Sequence, residues 1–328
     1  GTSCSWTTGC LSLCSNTMLL IESIYTKLLT HPTVMDEQLR ELTSEELNQL
    51  HYCLIRILKD FIFICNKYNL RYTLGGGSVL GATRHQGFIP WDDDLDINMP
   101  RSDYEKFKKI FSQELSSEYE LRVPNSQYGS STLFMKLLKK DTLYKQQFTY
   151  DESIPAYIWV DIFPFDNVPE NKIIRIIKGF ISEVMAYTFV SRFIYEHRNE
   201  ATDKYYGHMR NFWIYKARLF IARCIPVHFK KLYDFFDRFV RTKKNSSMLT
   251  CATGRKHYLG ECIGARYFSG AEDGIFEGID VKLPYRYKEY LKQLYGDYMK
   301  IPPVEKREHH FTTGFAIDDN IRFKTDEG

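Results

Sequence analysis

The chain has 328 residues, 44% of them hydrophobic and 15% aromatic, with 44 Lys/Arg against 41 Asp/Glu and a formal net charge of +3. That length supports one large or two modest domains around a sizeable core, and a charge so near zero gives no argument for a nucleic-acid partner. The eight cysteines include no CxxC pair to suggest a zinc site, and no run of about 20 uninterrupted apolar residues suggests a membrane-crossing helix.

In chain order, residues 1–17, "GTSCSWTTGCLSLCSNT", lack the basic start of a secretory signal, and Met18 reads as a natural start. They are expected to be an added leader or a disordered N-terminus. Residues 18–70 read as an N-terminal helical segment. Within it, residues 43–68 predict one amphipathic helix, with Thr43 and Glu46 at capping-box spacing and apolar residues from Leu47 to Tyr68 at three- and four-residue steps. Cys53 and Cys65 fall on that apolar pattern as buried thiols, a usage suited to a reducing compartment.

Residues 71–170 predict the catalytic core. "RYTLGGGS" reads as a short strand running into three glycines, "SVLGATRH" as a short helix and "DLDINM" as a second strand ended by Pro100. "RSDYEKFKKIF" follows as a helix with Ser102 as its cap. Further strands are expected at "YELRV", "LFMKLLK" and "AYIWVDIF", with Asp166 in a turn after Pro164. Residues 171–250 predict a helical region. It is basic, since residues 171–244 hold 16 Lys/Arg against 6 Asp/Glu. Residues 251–328 mix strand and loop with a helix at "YKEYLKQLYG", and complete the site. The fold class is α+β, a mixed sheet flanked by helices with an added helical portion.

The chemistry concentrates in "PWDDDLDINMP", where Asp92, Asp93, Asp94 and Asp96 crowd four carboxylates into five positions. Residues two apart on a strand share a face, so Asp94 and Asp96 project together, with Asp92 on the same side and Asp93 facing away. Like charges held so closely repel unless a cation neutralises them. A hard divalent ion suits carboxylate oxygens and leaves positions for phosphates: Mg²⁺, or Mn²⁺ in its place. Asp161, inside the apolar run "WVDIF", supplies a third acid that is costly to bury unpaired. Gly76 and Gly77 permit a sharp turn and close ligand approach, and Ser78 opens a helix whose free N–H groups suit a phosphate. Leu80 breaks the dinucleotide fingerprint, and Ala82 stands where a P-loop needs lysine.

Strand, Gly-Gly-Ser turn, helix, Asp-x-Asp and a later Asp make up the nucleotidyltransferase layout. "LGGGSVLGATRHQGFIPWDDDLDINMPRSDYEKF", "VDIFPFDNVP" and "FEGIDVKLPYRYKEYLKQLYGDYMKIPPVEKREHH" further resemble the blocks of the LicD family, related to the fukutin-type phosphotransferases. The resemblance implies transfer of a phospho-alcohol, phosphocholine from CDP-choline or a related CDP-alcohol, to a hydroxyl of a cell-surface glycan or its lipid-linked precursor, with release of CMP. It implies Asp94, Asp96 and Asp161 as catalytic and metal-binding residues, with Asp92 as an additional ligand. One ion or two, and base or ligand at Asp161, stay open.

Arg84 is expected to clamp a diphosphate, its planar fork matching phosphate oxygens. His85 and Lys136 are further substrate contacts, and Arg307, His309 and His310 close over the donor or position the acceptor. Trp91, Tyr157, Trp159, Phe163, Tyr285 and Tyr287 offer aromatic faces for a quaternary ammonium, with none singled out. The basic helical region suits peripheral membrane contact, in a cytoplasmic protein at the inner membrane face. Two other functions fit the same motifs: a nucleotidyltransferase attaching NMP and releasing pyrophosphate, and a non-catalytic binding protein that retains the fold.

Overall fold

Thr43 opens helix α1 (Ser44–Lys67) with both halves of a capping box. Its Oγ1 accepts from the Glu46 N–H, and the Glu46 carboxylate accepts from the Thr43 N–H. The apolar spacing then buries Leu50, Leu54, Ile57, Leu58 and Phe61. Cys53 and Cys65 are buried on the same helix, and burial pushes the Cys53 thiol up to about 12. The computed structural model describes residues 40–146, 154–198, 212–307 and 310–317, so residues 1–17 and His309 lie outside the described residues.

Helix α1 packs over a mixed sheet. The central strands run in the order β1 (Thr73–Leu74), β2 (Asp96–Pro100), β6 (Ile158–Asn167), β4 (Met135–Lys139) and β3 (Tyr119–Arg122). Strands β2 and β6 are parallel; the other neighbours in this path are antiparallel. Strand β7 (Met248–Thr250) pairs with the end of β6, and β8 (Ile263–Gly264) pairs with β7. Two further pairs complete the strands: β5 (Thr142–Gln146) with β11 (Thr312–Ile317), and the hairpin of β9 (Glu272–Phe276) and β10 (Ile279–Leu283). This is an α+β fold, with a core built from Leu74, Ile97, Met99, Leu137, Val160 and Ile162 of the central strands.

Helix α2 (Gly76–His85) joins β1 to β2, and α3 (Arg101–Glu114) follows β2. Helices α4 (Lys172–His197), α5 (Phe212–Cys224) and α6 (Phe229–Val240) form the helical portion. The short α7 (His257–Gly260) and α8 (Arg266–Ser269) and then α9 (Tyr287–Tyr295) return the chain to the sheet.

Four local expectations are corrected. Strand β2 begins at Asp96, so Asp94 precedes the ladder, which starts where the Asp161 N–H donates to Leu95 O. Helix α2 begins at Gly76 rather than Ser78, because the glycines themselves take helical positions. Helix α3 is entered from Pro100, and Ser102 Oγ accepts from Arg71 instead of capping. Asp166 lies within β6: the β4 ladder stops at Ile162, so the missing N–H of Pro164 falls on an open side of the strand, which runs on unbroken beside β2.

Arg101 ties the helical portion to the sheet. It donates from Nε and Nη2 to the two carboxylate oxygens of Asp166 at 2.9 and 2.6 Å, and from Nη1 to Asp237 on α6 at 2.9 Å. Arg241 adds bonds to Asp237 and Glu105.

Candidate active site

The parallel pairing of β2 with β6 places Asp96 opposite Asp161, and the antiparallel pairing of β4 with β6 places Lys136 opposite Asp161. Three charged side chains thus occupy one row across three adjacent strands. Ser78 Oγ accepts from the Asp96 N–H at 2.8 Å, and the Gly75 N–H donates to Asp96 O at 2.8 Å, so the turn and the strand hold each other.

The turn itself requires glycine. Gly76 has φ +38°, in the left-handed region. A Cβ there would meet Asp96 Oδ2 at 2.5 Å, and one on Gly77 would meet Asp92 Oδ2 at 3.0 Å. The two glycines therefore leave just the room that the two carboxylates occupy. Tyr290 of α9 accepts from the Gly76 N–H at 3.1 Å.

The electrostatics are those of crowded acids. Burial, followed by the charges of Asp94, Asp161 and Glu261, pushes the Asp96 carboxyl well above its usual range, with Lys136 pulling the other way. The Lys136 ammonium lies 3.0 Å from Asp161 Oδ1, yet outside hydrogen-bonding geometry, so that buried oxygen has no hydrogen-bond donor. Lys136 also sits 4.1 Å over the Trp159 ring.

These residues fit a hard divalent cation in chemistry. An orphaned carboxylate oxygen, neighbouring acids that raise Asp96, and a wall made of two Cβ-less residues are what such an ion would relieve. No three His, Cys, Asp or Glu side chains among the described residues converge on one point. An ion held by three or more of these acids at once would therefore need rotamer changes among them.

The remaining predicted residues spread around this row. Arg84 donates from Nη1 to Tyr298 O at 2.8 Å and from Nε to His85 Nε2 at 3.0 Å. Burial lowers its pKa, with Asp92 opposing. His85 is lowered by burial and by the Arg84 charge. The Arg307 guanidinium stacks 4.0 Å over Trp91 and donates to Pro302 O. His310 Nδ1 pairs with Asp93 Oδ1 at 2.5 Å, so His310 faces Asp93 rather than the Asp96–Asp161 row. Ser78, through its buried Oγ, serves as a brace for Asp96.

Further residues shape the site without having been assigned a role from the sequence. Asp93 points inward, as expected of the off-face acid, and is held by Tyr144 and His310. Burial acts to raise its carboxyl, but the His310 charge and the bonds from His310 and Tyr144 outweigh it and hold the group below its usual range. His51 of α1 donates from Nε2 to Asp92 O at 2.7 Å and stacks on Phe88. Glu261 is buried, accepts from the Lys256 N–H and adds its charge to the acidic field on Asp96.

Comparison with known proteins places this geometry in context. The family model described as "LicD/FKTN/FKRP, nucleotidyltransferase domain" matches residues 69–220, which span the glycine turn and the three acids. Lipopolysaccharide cholinephosphotransferase LicD of Haemophilus influenzae is 29% identical over 284 residues, 85% of this chain and 100% of that protein. Human ribitol 5-phosphate transferase FKRP is 29% identical over 117 residues, 34% of this chain and 21% of that protein. An uncharacterized protein of Rickettsia typhi is 36% identical over 90 residues, 27% of this chain and 28% of its own length.

Proposed function

We propose that this chain, whose residues 69–220 match the LicD/FKTN/FKRP nucleotidyltransferase-domain model, is a Mg²⁺-dependent phosphotransferase that moves phosphocholine from CDP-choline to a hydroxyl of a cell-surface glycan or its lipid-linked precursor. The observation that carries this reading is the in-register pairing of Asp96 with Asp161 beside a glycine turn whose Cα atoms stand against Asp96 and Asp92.

The acceptor oxygen attacks the phosphorus that bears the alcohol. The bond from that phosphorus to the bridging oxygen of the diphosphate breaks, and CMP leaves with that oxygen. The hydroxyl proton passes to a carboxylate. Asp161 suits this role because its buried Oδ1 lacks a hydrogen-bond donor, while Lys136 offsets its charge from 3.0 Å. Asp94, Asp96 and Asp161, with Asp92 beside them, would hold a divalent ion, which would supply a Lewis acid for the donor's phosphate oxygens. Arg84, two turns further along the helix that the glycines open, offers a guanidinium to the diphosphate. Trp91 and Trp159 already hold Arg307 and Lys136 against their faces, the same attraction a quaternary ammonium would feel.

The test is product analysis with CDP-choline, Mg²⁺ and a glycan acceptor. CMP with a phosphocholine-bearing glycan supports the reading. Pyrophosphate released from CTP in its place would move the chain to the nucleotidyltransferases. No product and no calorimetric binding of CDP-choline would leave a fold retained without catalysis.

A further inference from the structure

Helix α4 turns its apolar residues outward. Ile173, Ile174, Ile177, Phe180, Ile181 and Val184 recur at the one-, three- and four-residue steps of a single helical stripe. All six are exposed, Ile173 at 69% and Phe180 at 58%. The opposite face supplies Gly179, Ser182, Phe189 and Phe193 to the interior. Helix α5, packed against α4, repeats the pattern. Trp213 is exposed at 79% and Phe220 at 68%, with Ile214 and Ile221 beside them, while Tyr215 and Ala222 face inward. An apolar groove of about 400 Å³ between α4 and α6, lined by Val184, Met185, Leu232, Phe235 and Phe239, continues this surface.

The charges around it are sorted by sign. Among the described residues of 171–244, the four acids are all turned to partners: Glu183 to His257, Glu196 to Arg192 and His228, Asp234 to Asn125, and Asp237 to Arg101 and Arg241. None of the four is exposed, whereas Lys172, Lys216, Arg223, Lys231 and Arg238 are. On α5, Lys216 and Arg223 fall on one flank of the Trp213–Phe220 stripe at helical spacing.

From this we propose that α4 and α5 lie flat on the surface of an anionic phospholipid bilayer, with their apolar stripes at the headgroup boundary and the lysines and arginines against lipid phosphates. A contiguous exposed apolar patch with a polar rim marks an interaction surface. A soluble polyanion would satisfy the cations and leave the stripe in water. A second copy of this chain would cover the stripe and bring like charges together. The inference goes beyond the proposed reaction and does not depend on it.

Co-sedimentation of the full chain with vesicles tests it. The chain is expected to pellet with vesicles of phosphatidylcholine and phosphatidylglycerol in equal parts, and much less with phosphatidylcholine alone. The variant Ile177→Asp/Phe180→Asp/Phe220→Asp should lose binding by roughly tenfold or more. Lys216→Glu/Arg223→Glu should lose the preference for anionic vesicles. Both should keep the lipid-free melting curve, which separates loss of docking from loss of fold. The proposal falls if the chain stays in the supernatant with both vesicle types, or if the triple variant pellets like the parent. It falls as well if sedimentation velocity reveals a lipid-free dimer that the triple variant dissociates, since a second copy then covers the stripe. Core-like deuterium-exchange protection of the stripe without lipid also overturns it, since another segment of this chain then covers that face.

Discussion

Asp96 and Asp161 stand opposite one another on two parallel strands, and the charge of Asp161 is among those that drive the Asp96 carboxyl above its ordinary range. The folded-state pKa of Asp96 therefore exceeds the unfolded one. Its contribution to stability is fully present below the unfolded value, 3.8, and is lost as pH rises through the raised value. The ion-free protein is expected to lose melting temperature as pH rises above 3.8, and Mg²⁺ to restore more of it at higher pH. Asp96→Asn should flatten that slope and raise the ion-free melting temperature at neutral pH by roughly 2–4 °C, the shift about 1 kcal/mol produces in a sizeable domain. The same variant should lose turnover by about 100-fold or more. Differential scanning calorimetry with and without Mg²⁺ decides it; an unchanged pH slope in the variant would sink the electrostatic account.

That row was legible in the sequence only in part. Asp-x-Asp beside a glycine turn announced itself because the two-residue strand period and the cost of crowded charge are local facts. The partnership with Asp161 was legible as a buried acid in an apolar run, while the register that sets it opposite Asp96 and Lys136 was not. The reach of β6 past Pro164 was missed because the β4 ladder ends at Ile162, and the side of the strand left open there tolerates a residue without an N–H. Glu261 was not singled out, and Tyr290 was read only as part of a helix in a family-like block, with no role of its own. They matter because the chain folds back more than 150 residues later; that the C-terminal part completes the site was expected, but which of its side chains reach Asp96 and Gly76 depends on tertiary contacts that local patterns do not encode.

Gly76→Ala should damage both stability and turnover. The left-handed backbone costs a non-glycine residue about 1–2 kcal/mol, and the new Cβ would lie 2.5 Å from Asp96 Oδ2. Urea denaturation should register the first effect and steady-state kinetics the second. A variant with parental stability and turnover would mean that the turn relaxes without cost and does not hold Asp96.

Removing Arg101 should be among the most destabilising single changes outside the hydrophobic core. Asp166 is buried and takes both its hydrogen bonds from this guanidinium. Arg101→Met leaves that charge uncompensated, at about 3–5 kcal/mol. Arg101→Met combined with Asp166→Leu should recover a large part of the loss, because the stranded charge is then gone. Chemical denaturation of the single and double variants measures the coupling; two simply additive losses would refute it.

The Asp93–His310 pair predicts a specific acid sensitivity. Asp93 is held below its ordinary value of 3.8, so its contribution is present above that value and lost as pH falls through the depressed one. His310→Ala leaves the buried carboxylate with Tyr144 as a remaining donor and should cost about 1–3 kcal/mol at neutral pH. His310→Gln keeps a donor but no charge, and should lie between. Acid unfolding followed by tryptophan fluorescence should show the midpoint moving to higher pH in the order parent, His310→Gln, His310→Ala; coincident midpoints would show that the pair does not hold Asp93.

The final prediction concerns Glu277, at the tip of the β9–β10 hairpin. Its own N–H donates to Gln86 O at 2.8 Å, and its Oε1 accepts from the Phe88 N–H at 3.0 Å, so the hairpin grips the segment that leads from α2 into Asp92. His51 holds the same segment from the other side through Asp92 O. If the position of the acids is set by this clamp, Glu277 acts on them without touching substrate. Glu277→Ala should then lower kcat by about tenfold, the order that a small misplacement of reacting groups can reach or exceed, with a smaller effect on the melting temperature. Glu277→Gln retains an acceptor oxygen for Phe88 N–H and should recover most of the rate. Equal losses in the two variants would mean that the carboxylate charge, rather than its bond to the backbone, is what the site uses.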